Sequence, residues 1–230
     1  MPEPIHLHPT ADLAPRVLLP GDPGRAMTLA QALLREPKMF NHNRGLWGYT
    51  GEAADGAPLT IQSTGMGGPS AAIVIAELAD LGARTLVRVG TCGALDGSLA
   101  LGDLIVVTEA LAADGASRAL GAAERVAGDR ELLAALTAAN RGGIAGPVVS
   151  CDLFYDGPED AEREWLTAGA LAVEMEAATL FALAARRGLR AGCTLIVSDV
   201  LLPGRRRIAA DELQEAERRL GELAFAALLG

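Results

Sequence analysis

Short apolar runs of strand character alternate along this chain with segments whose apolar residues recur at helical spacing. That alternation constrains the fold more than any other feature. "RVLLPGDPGR" reads as a strand over about 16–19 that breaks at Pro20–Gly21, after which Ala26, Leu29, Ala30, Leu33 and Leu34 share a helical face. "LWGYTGEA" and "PLTIQST" flank "ADGA", which predicts a hairpin with Asp55–Gly56 in its turn. After "GMGG", Pro69–Ser70 opens a helix running through Leu81. A strand over 85–89 leads into a "GTCG" turn, and "DLIVVTEAL" forms the next apolar strand. Residues 112–128 read as a long loop, 129–140 as a helix, "IAGPVVS" as a strand and 159–168 as a polar helix. "LAVEMEAATLFALAARRG" begins as a strand, turns helical at about Glu176 and stops at Gly188. "GCTLIVSDVL" is the last strong strand, and 211–229 closes the chain as an amphipathic helix. The expected fold is one α/β domain over 1–230, a three-layer α/β/α arrangement whose central mixed, largely parallel sheet is flanked by helices.

Composition narrows the function. A formal net charge of −9 argues against a nucleic-acid partner, whose footprint is basic, but leaves room for small anions in a local basic pocket. Cys92, Cys151 and Cys193 have no metal-type spacing and suggest reduced thiols in a cytoplasmic setting. The start "MPEPIHLHPT" lacks a signal-peptide pattern, and no run is apolar for long enough to cross a membrane.

Charged groups fall at strand ends, where α/β sheets usually bind ligands. Arg88 lies in the apolar stretch "LVRVG", followed by Gly90, Thr91 and Gly93. An unpaired buried guanidinium costs several kcal/mol and cannot shed its proton, so Arg88 requires a negative partner. Two are open: an internal glutamate or a bound anion. "VEME" brings Glu174 and Glu176 around Met175, and Ser198–Asp199 follows "TLIV". "GDPGR" places Arg25 beyond Gly21, and Arg44 lies in "NHNRGLWGYTG". Arginines with backbone N–H groups suit phosphate oxygens, carboxylates suit sugar hydroxyls, and an Asp of raised pKa suits a leaving group. There is no P-loop, no complete dinucleotide fingerprint, no metal-binding cluster and no GxSxG elbow, and no metal is expected.

The blocks "LLPGDPGRA", "NRGLWGYTG", "STGMGGPSAAI", "RVGTCGAL", "VEMEAATL" and "IVSDVL" occur in one order from about residue 5 onward. In these the chain resembles the trimeric and hexameric nucleoside phosphorylases, a family that includes bacterial purine nucleoside phosphorylase and uridine phosphorylase. The resemblance implies reversible phosphorolysis of a purine nucleoside, giving free base and pentose 1-phosphate, with inorganic phosphate as co-substrate and no other cofactor. It implies phosphate binding by Gly21, Arg25, Arg88 and Thr91, with Arg44 supplied by a neighbouring subunit. The pentose then lies against Met66, Met175 and Glu176, with His6 of the neighbour (His8 as the substitute) on its 5′-hydroxyl. The base meets Cys92, Gly93, Phe154, Val173, Glu174 and Ser198, and Asp199 protonates the purine N7. A homohexamer built as a trimer of dimers is also implied.

The short stretch from Phe154 to Glu176 and "SDVL" favour the purine branch, while "ADGAS" at 113–117 resembles the uridine enzymes. The family's assisting arginine after the Asp has no counterpart at the usual spacing, and Arg205, Arg206 and Arg207 are the candidates. Uridine phosphorylase and a nucleosidase of the same fold are the nearest alternatives. A nucleoside-binding protein without activity and a purely structural oligomer stand further off. On the phosphate reading, a glutamate-filled Arg88 site counts against that residue as an anion ligand.

Overall fold

A computed structural model describes residues 4–202 and 204–229. The elements begin with β1 (Arg16–Leu19), α1 (Pro23–Leu33), β2 (Leu34–Asn41), β3 (Gly48–Ala53), β4 (Pro58–Gln62), α2 (Gly68–Leu81) and β5 (Thr85–Ala94). There follow β6 (Leu104–Ala112), α3 (Gly115–Ala119), β7 (Arg125–Val126), α4 (Arg130–Ala139), β8 (Ile144–Ser150) and α5 (Ala161–Thr167). β9 (Ala172–Glu174), α6 (Ala177–Arg187), β10 (Arg190–Val200), β11 (Arg206–Arg207) and α7 (Ala210–Ala226) complete the order.

All the strands join one mixed sheet, in which the longest ladders, β5–β10 and β6–β8, are parallel and antiparallel ladders join the rest. β5 pairs with β10 and β9, β10 with β6, β6 with β8, and β8 with β9, so these five strands close on themselves. The hairpin β3–β4 and the edge strand β2 extend the sheet from β1, which pairs with β5. Closure turns a row of strand ends into a ring, so residues far apart in sequence face one another across its mouth.

Alternation along the strands separates two apolar layers. Val17, Leu19, Leu86, Cys92, Ile105 and Val107 pack with the α2 and α6 side chains Val74, Leu78 and Leu180. Leu18, Val87, Val89, Val106 and Ile196 pack with Leu29 of α1, Leu132 of α4 and Leu220 of α7. Arg88, between Val87 and Val89, therefore points toward the α2/α6 side.

Two sequence expectations need correction, and one strand was not foreseen. "GTCG" is not a turn: β5 runs on to Ala94, paired with β10 along its length. Its glycines serve packing, since a Cβ at position 90 would stand 2.6 Å from Arg88 Nη2 and one at 93 would stand 3.0 Å from Leu201 Cδ1. Residues 112–128 are not a plain loop but carry α3, capped by Asp114 accepting from the Ser117 N–H at 2.8 Å, and β7. β2 carries no strand signal because its middle is exposed on both faces and contains Pro37, as suits a bulged edge strand.

Candidate active site

The site grows from the C-terminal ends of β1, β4, β5 and β10 and from β9. After β1 and β4 two loops run side by side: the Thr64 N–H donates to Pro20 O at 2.9 Å and the Gly65 N–H to Gly21 O at 3.1 Å. A Cβ at Gly21 would lie 3.2 Å from Gly65 O, so the approach suits glycine. Gly65 and Gly67, at φ 72° and 83°, hold Met66 outward at the start of α2. Met66 is 86% exposed and offers an apolar cover to anything bound beside it.

Arg88 is buried and paired with two carboxylates. Its Nε donates to Glu174 Oε2 at 2.9 Å, and its Nη2 lies 2.5 Å from Glu176 Oε2. Of the two partners open to Arg88, the structure shows internal glutamates, the arrangement that counts against Arg88 as an anion ligand. The physical reason is the ladder: β9 runs antiparallel to β5, with Gly93 opposite Val173, and brings Glu174 to Arg88, while Glu176 follows at the start of α6. Burial pushes the Arg88 pKa down, but Glu176 and then Glu174 outweigh it and keep the group charged.

The two glutamates differ. Glu174 has a fully enclosed side chain. It accepts from Arg88, from the Ser150 hydroxyl and from the Glu176 and Ala177 N–H groups at the start of α6. Its carboxylate is thus consumed inside the protein, and a ligand would meet only its backbone. Glu176 accepts from the Gly67 N–H at 2.5 Å, which ties "VEME" to the Met66 loop. Burial raises the Glu176 pKa, Arg88 opposes that rise, and Glu174 adds to it. Met66, Met175 and Glu176, the expected pentose set, are therefore brought together.

The expected base set also converges. Gly93 is flanked by Val173 on one side and Asp199 on the other. The β5–β10 register shifts between Val197 and Asp199, making Ser198 the extra residue of a bulge, a device that re-aims side chains next to functional sites. The Ser198 hydroxyl donates to Asp199 Oδ2 at 2.8 Å, and Arg205 Nε donates to Oδ1 at 3.0 Å. Among the three candidate arginines the structure puts Arg205 on Asp199, while Arg206 and Arg207 pair along β11 with Val200 and Asp199. The Arg205 guanidinium also stands 4.4 Å from the centre of the Phe154 ring, which forms a T-shaped pair with Tyr155 at 4.8 Å. Cys92 points into the core, its thiol directed at Ile196 O and its pKa pushed up by burial, so only its backbone faces a base.

The remaining expected site residues divide in two. Thr91 is partly exposed on β5, while Arg25 is buried and donates from Nε to Glu217 Oε1 on α7 at 2.7 Å. Arg44 is exposed and sits at φ 58°, a left-handed conformation uncommon for a non-glycine residue. The side chain of its neighbour Asn43 donates to His6 O at 2.9 Å, which ties the loop that carries Arg44 to the segment that carries His6. The His6 ring lies 2.7 Å from Glu77, which also accepts from the Ile5, His6 and Leu7 N–H groups. Burial pushes the Glu77 pKa up, but these donors, led by the His6 ring, hold it below its usual value. Among the described residues no hydrogen bond or ion pair joins Arg25, Arg44 and Arg88 to one another, and no group of three His, Cys, Asp or Glu is placed to hold a metal.

Glu217, Ser150 and Glu77 escape a reading of strand ends because they act on other protein groups. Only Glu217 left a trace, as a charge on the apolar side of α7 beside Ala216, Leu220 and Gly221.

Residues 15–230 match the model of the phosphorylase superfamily. The chain belongs to this superfamily. It is 40% identical over 205 residues to a guanosine phosphorylase of Halorubrum lacusprofundi, covering 86% of this chain and 84% of that protein. It is 37% identical over 227 residues to a purine nucleoside phosphorylase DeoD-type of Geobacillus kaustophilus, covering 96% and 95%. It is 40% identical over 225 residues to a protein of the same name from Jannaschia sp., covering 94% of each. The superfamily match takes in β1 through α7 and every site residue above except His6 and its substitute His8.

Proposed function

We propose that the protein is a purine-nucleoside phosphorylase, a pentosyltransferase that splits purine nucleosides reversibly with inorganic phosphate. The observation that carries the reading is the set around Gly93, where Asp199, with Ser198 and Arg205 on its two oxygens, stands across β5 from Val173. The names of the similar proteins support it.

In this reading the pentose rests on Met66 and Met175, and its hydroxyls donate to Glu176. The base lies against Phe154 and the backbone of Cys92, Gly93, Val173 and Glu174. Phosphate is held by Gly21, Arg25, Arg88 and Thr91, with Arg44 from a neighbouring subunit. Arg88 takes part although it is paired with glutamates, because a guanidinium has five N–H donors and two carboxylates do not exhaust them. Cleavage of the glycosidic bond develops positive charge on the sugar and negative charge on the base. Bound phosphate stabilises the first and is already positioned for attack at C1′. Asp199 donates its proton to N7, and the Arg205 guanidinium stabilises the carboxylate that this transfer leaves. Phosphate is the co-substrate and no other cofactor is invoked. The reading also places the enzyme in the cytoplasm, in nucleoside salvage, as a homohexamer whose sites are shared between subunits. In support of the compartment, all three cysteines are unbridged.

The test is a panel of inosine, guanosine, adenosine and uridine, each with and without phosphate. Purine release that depends on phosphate is expected, and Asp199→Ala should lower it about 10²-fold or more. Equal release in phosphate-free buffer identifies a hydrolase, preference for uridine identifies the pyrimidine branch, and either result overturns the proposal.

A further inference from the structure

The two buried arginines of the phosphate set are held in the same manner. Each gives its Nε to an enclosed glutamate, Arg88 to Glu174 at 2.9 Å and Arg25 to Glu217 at 2.7 Å. Glu174 belongs to the strand ends of the site, whereas Glu217 comes from α7, 192 residues along the chain from Arg25. The Arg25–Glu217 pair is well enclosed, at 8% and 13% side-chain exposure.

The pair occupies a defined layer of the α1–α7 contact. A Cβ at Gly221 would stand 2.5 Å from Leu29 Cδ2, so the helices approach closely there. Arg25 precedes Leu29 by one helical turn, and Glu217 precedes Gly221 by one turn. The two helices therefore run side by side in the same direction, with the ion pair on the side of both N-termini, toward Gly21. At its own backbone Arg25 is fixed as well, its N–H donating to the capping Asp22 carboxylate at 2.7 Å.

We propose that Glu217 is a positioning residue for phosphate: it anchors Arg25 through Nε and leaves the Nη edge to meet phosphate oxygens. The inference rests on the phosphorolysis reading. An arginine held at Nε keeps four N–H donors, and a side chain already immobilised loses less entropy when it binds. The competing account makes Glu217 a surrogate anion that phosphate must displace. The two accounts differ in sign. Loss of an anchor weakens phosphate binding, while loss of a competing negative charge strengthens it.

The experiment measures initial rates for the wild type, Glu217→Ala and Glu217→Gln, varying inorganic phosphate and nucleoside separately. Glu217→Ala should raise KM for phosphate about tenfold, the scale of one charge-assisted hydrogen bond, and move KM for nucleoside much less. Glu217→Gln, whose amide oxygen still accepts from Nε, should recover most of that loss. A phosphate KM that is unchanged or lower overturns the proposal, and so does an equal loss in every parameter. If Glu217→Ala does not fold, Glu217→Asp, which withdraws the carboxylate by one methylene, is held to the same criteria. A wild type that releases base equally without phosphate overturns the underlying reading before any variant is measured. A phosphate-dependent wild type with an unmoved variant overturns only the role of Glu217.

Discussion

At the scale of the residue, Arg88, Glu174 and Glu176 place one positive charge against two negative ones in a buried space. With one negative charge in excess, the two carboxylates compete for a single guanidinium, and burial weighs on the one with fewer internal donors. Glu174 is committed inside the protein by four donors, and Glu176 is the member whose ionisation the fold opposes. Because the folded state raises the Glu176 pKa, its protonated form is favoured by folding. That contribution is complete below the ordinary value of 4.5 and is lost as pH rises through the folded value. Urea unfolding of the wild type across this window should therefore include a fall in stability with rising pH that Glu176→Gln removes. The slope is the readout, since the substitution also changes the pairing with Arg88. An identical slope in both proteins would show that the carboxyl titrates no differently in the fold.

At the scale of the element, the end of β5 carries the most function in the fewest residues, and its glycines are what allow this. A Cβ at Gly90 would stand 2.6 Å from Arg88 Nη2 and 3.0 Å from Leu195 Cδ2. The far end of an arginine can usually give way, but here it is pinned between Glu174 and Glu176. Gly90→Ala should accordingly cost about 1–3 kcal/mol, the usual scale of overpacking, read as a lower urea midpoint at unchanged slope. An unchanged midpoint would mean that the guanidinium moves freely. The same stretch marks how far sequence reasoning reached. The apolar pattern of β1, α2, β6, β8 and β10 and the stops at Gly82 and Gly188 follow from periodicity and capping, which are local. Those properties also put Asp199, Glu176 and Arg88 at strand ends. "GTCG" read as a turn because glycine usually signals one, whereas here β10 holds it in register and the glycines make room for Arg88 and Leu201. The partners Ser150, Glu77 and Glu217 depend on which elements meet in space, and no local pattern encodes that. The position of Arg205 is of the same kind, since it follows from how the segment after β10 folds back over Phe154.

At the scale of the whole molecule, the closed ring of strands gathers the base and pentose residues, while the loop of Arg44 is tied through Asn43 to His6, and His6 to α2 through Glu77. Arg44 is exposed, and no hydrogen bond or ion pair among the described residues joins it to Arg88 or Asp199. A residue so placed contributes to a site most simply from another copy, as the proposed assembly requires. If each site joins Asp199 of one subunit to Arg44 of its neighbour, Arg44→Ala and Asp199→Ala proteins should each be nearly inactive alone. Equal amounts unfolded together and refolded should then recover activity. Half of the subunits keep Asp199 and half of their neighbours keep Arg44, so about one site in four is intact in a randomly mixed closed oligomer. Assay of the refolded mixture against each parent, with the oligomer isolated by size exclusion, reads this directly. Recovery near that fraction supports sites completed across subunits. A mixed oligomer no more active than its parents would mean that Arg44 serves the site of its own chain.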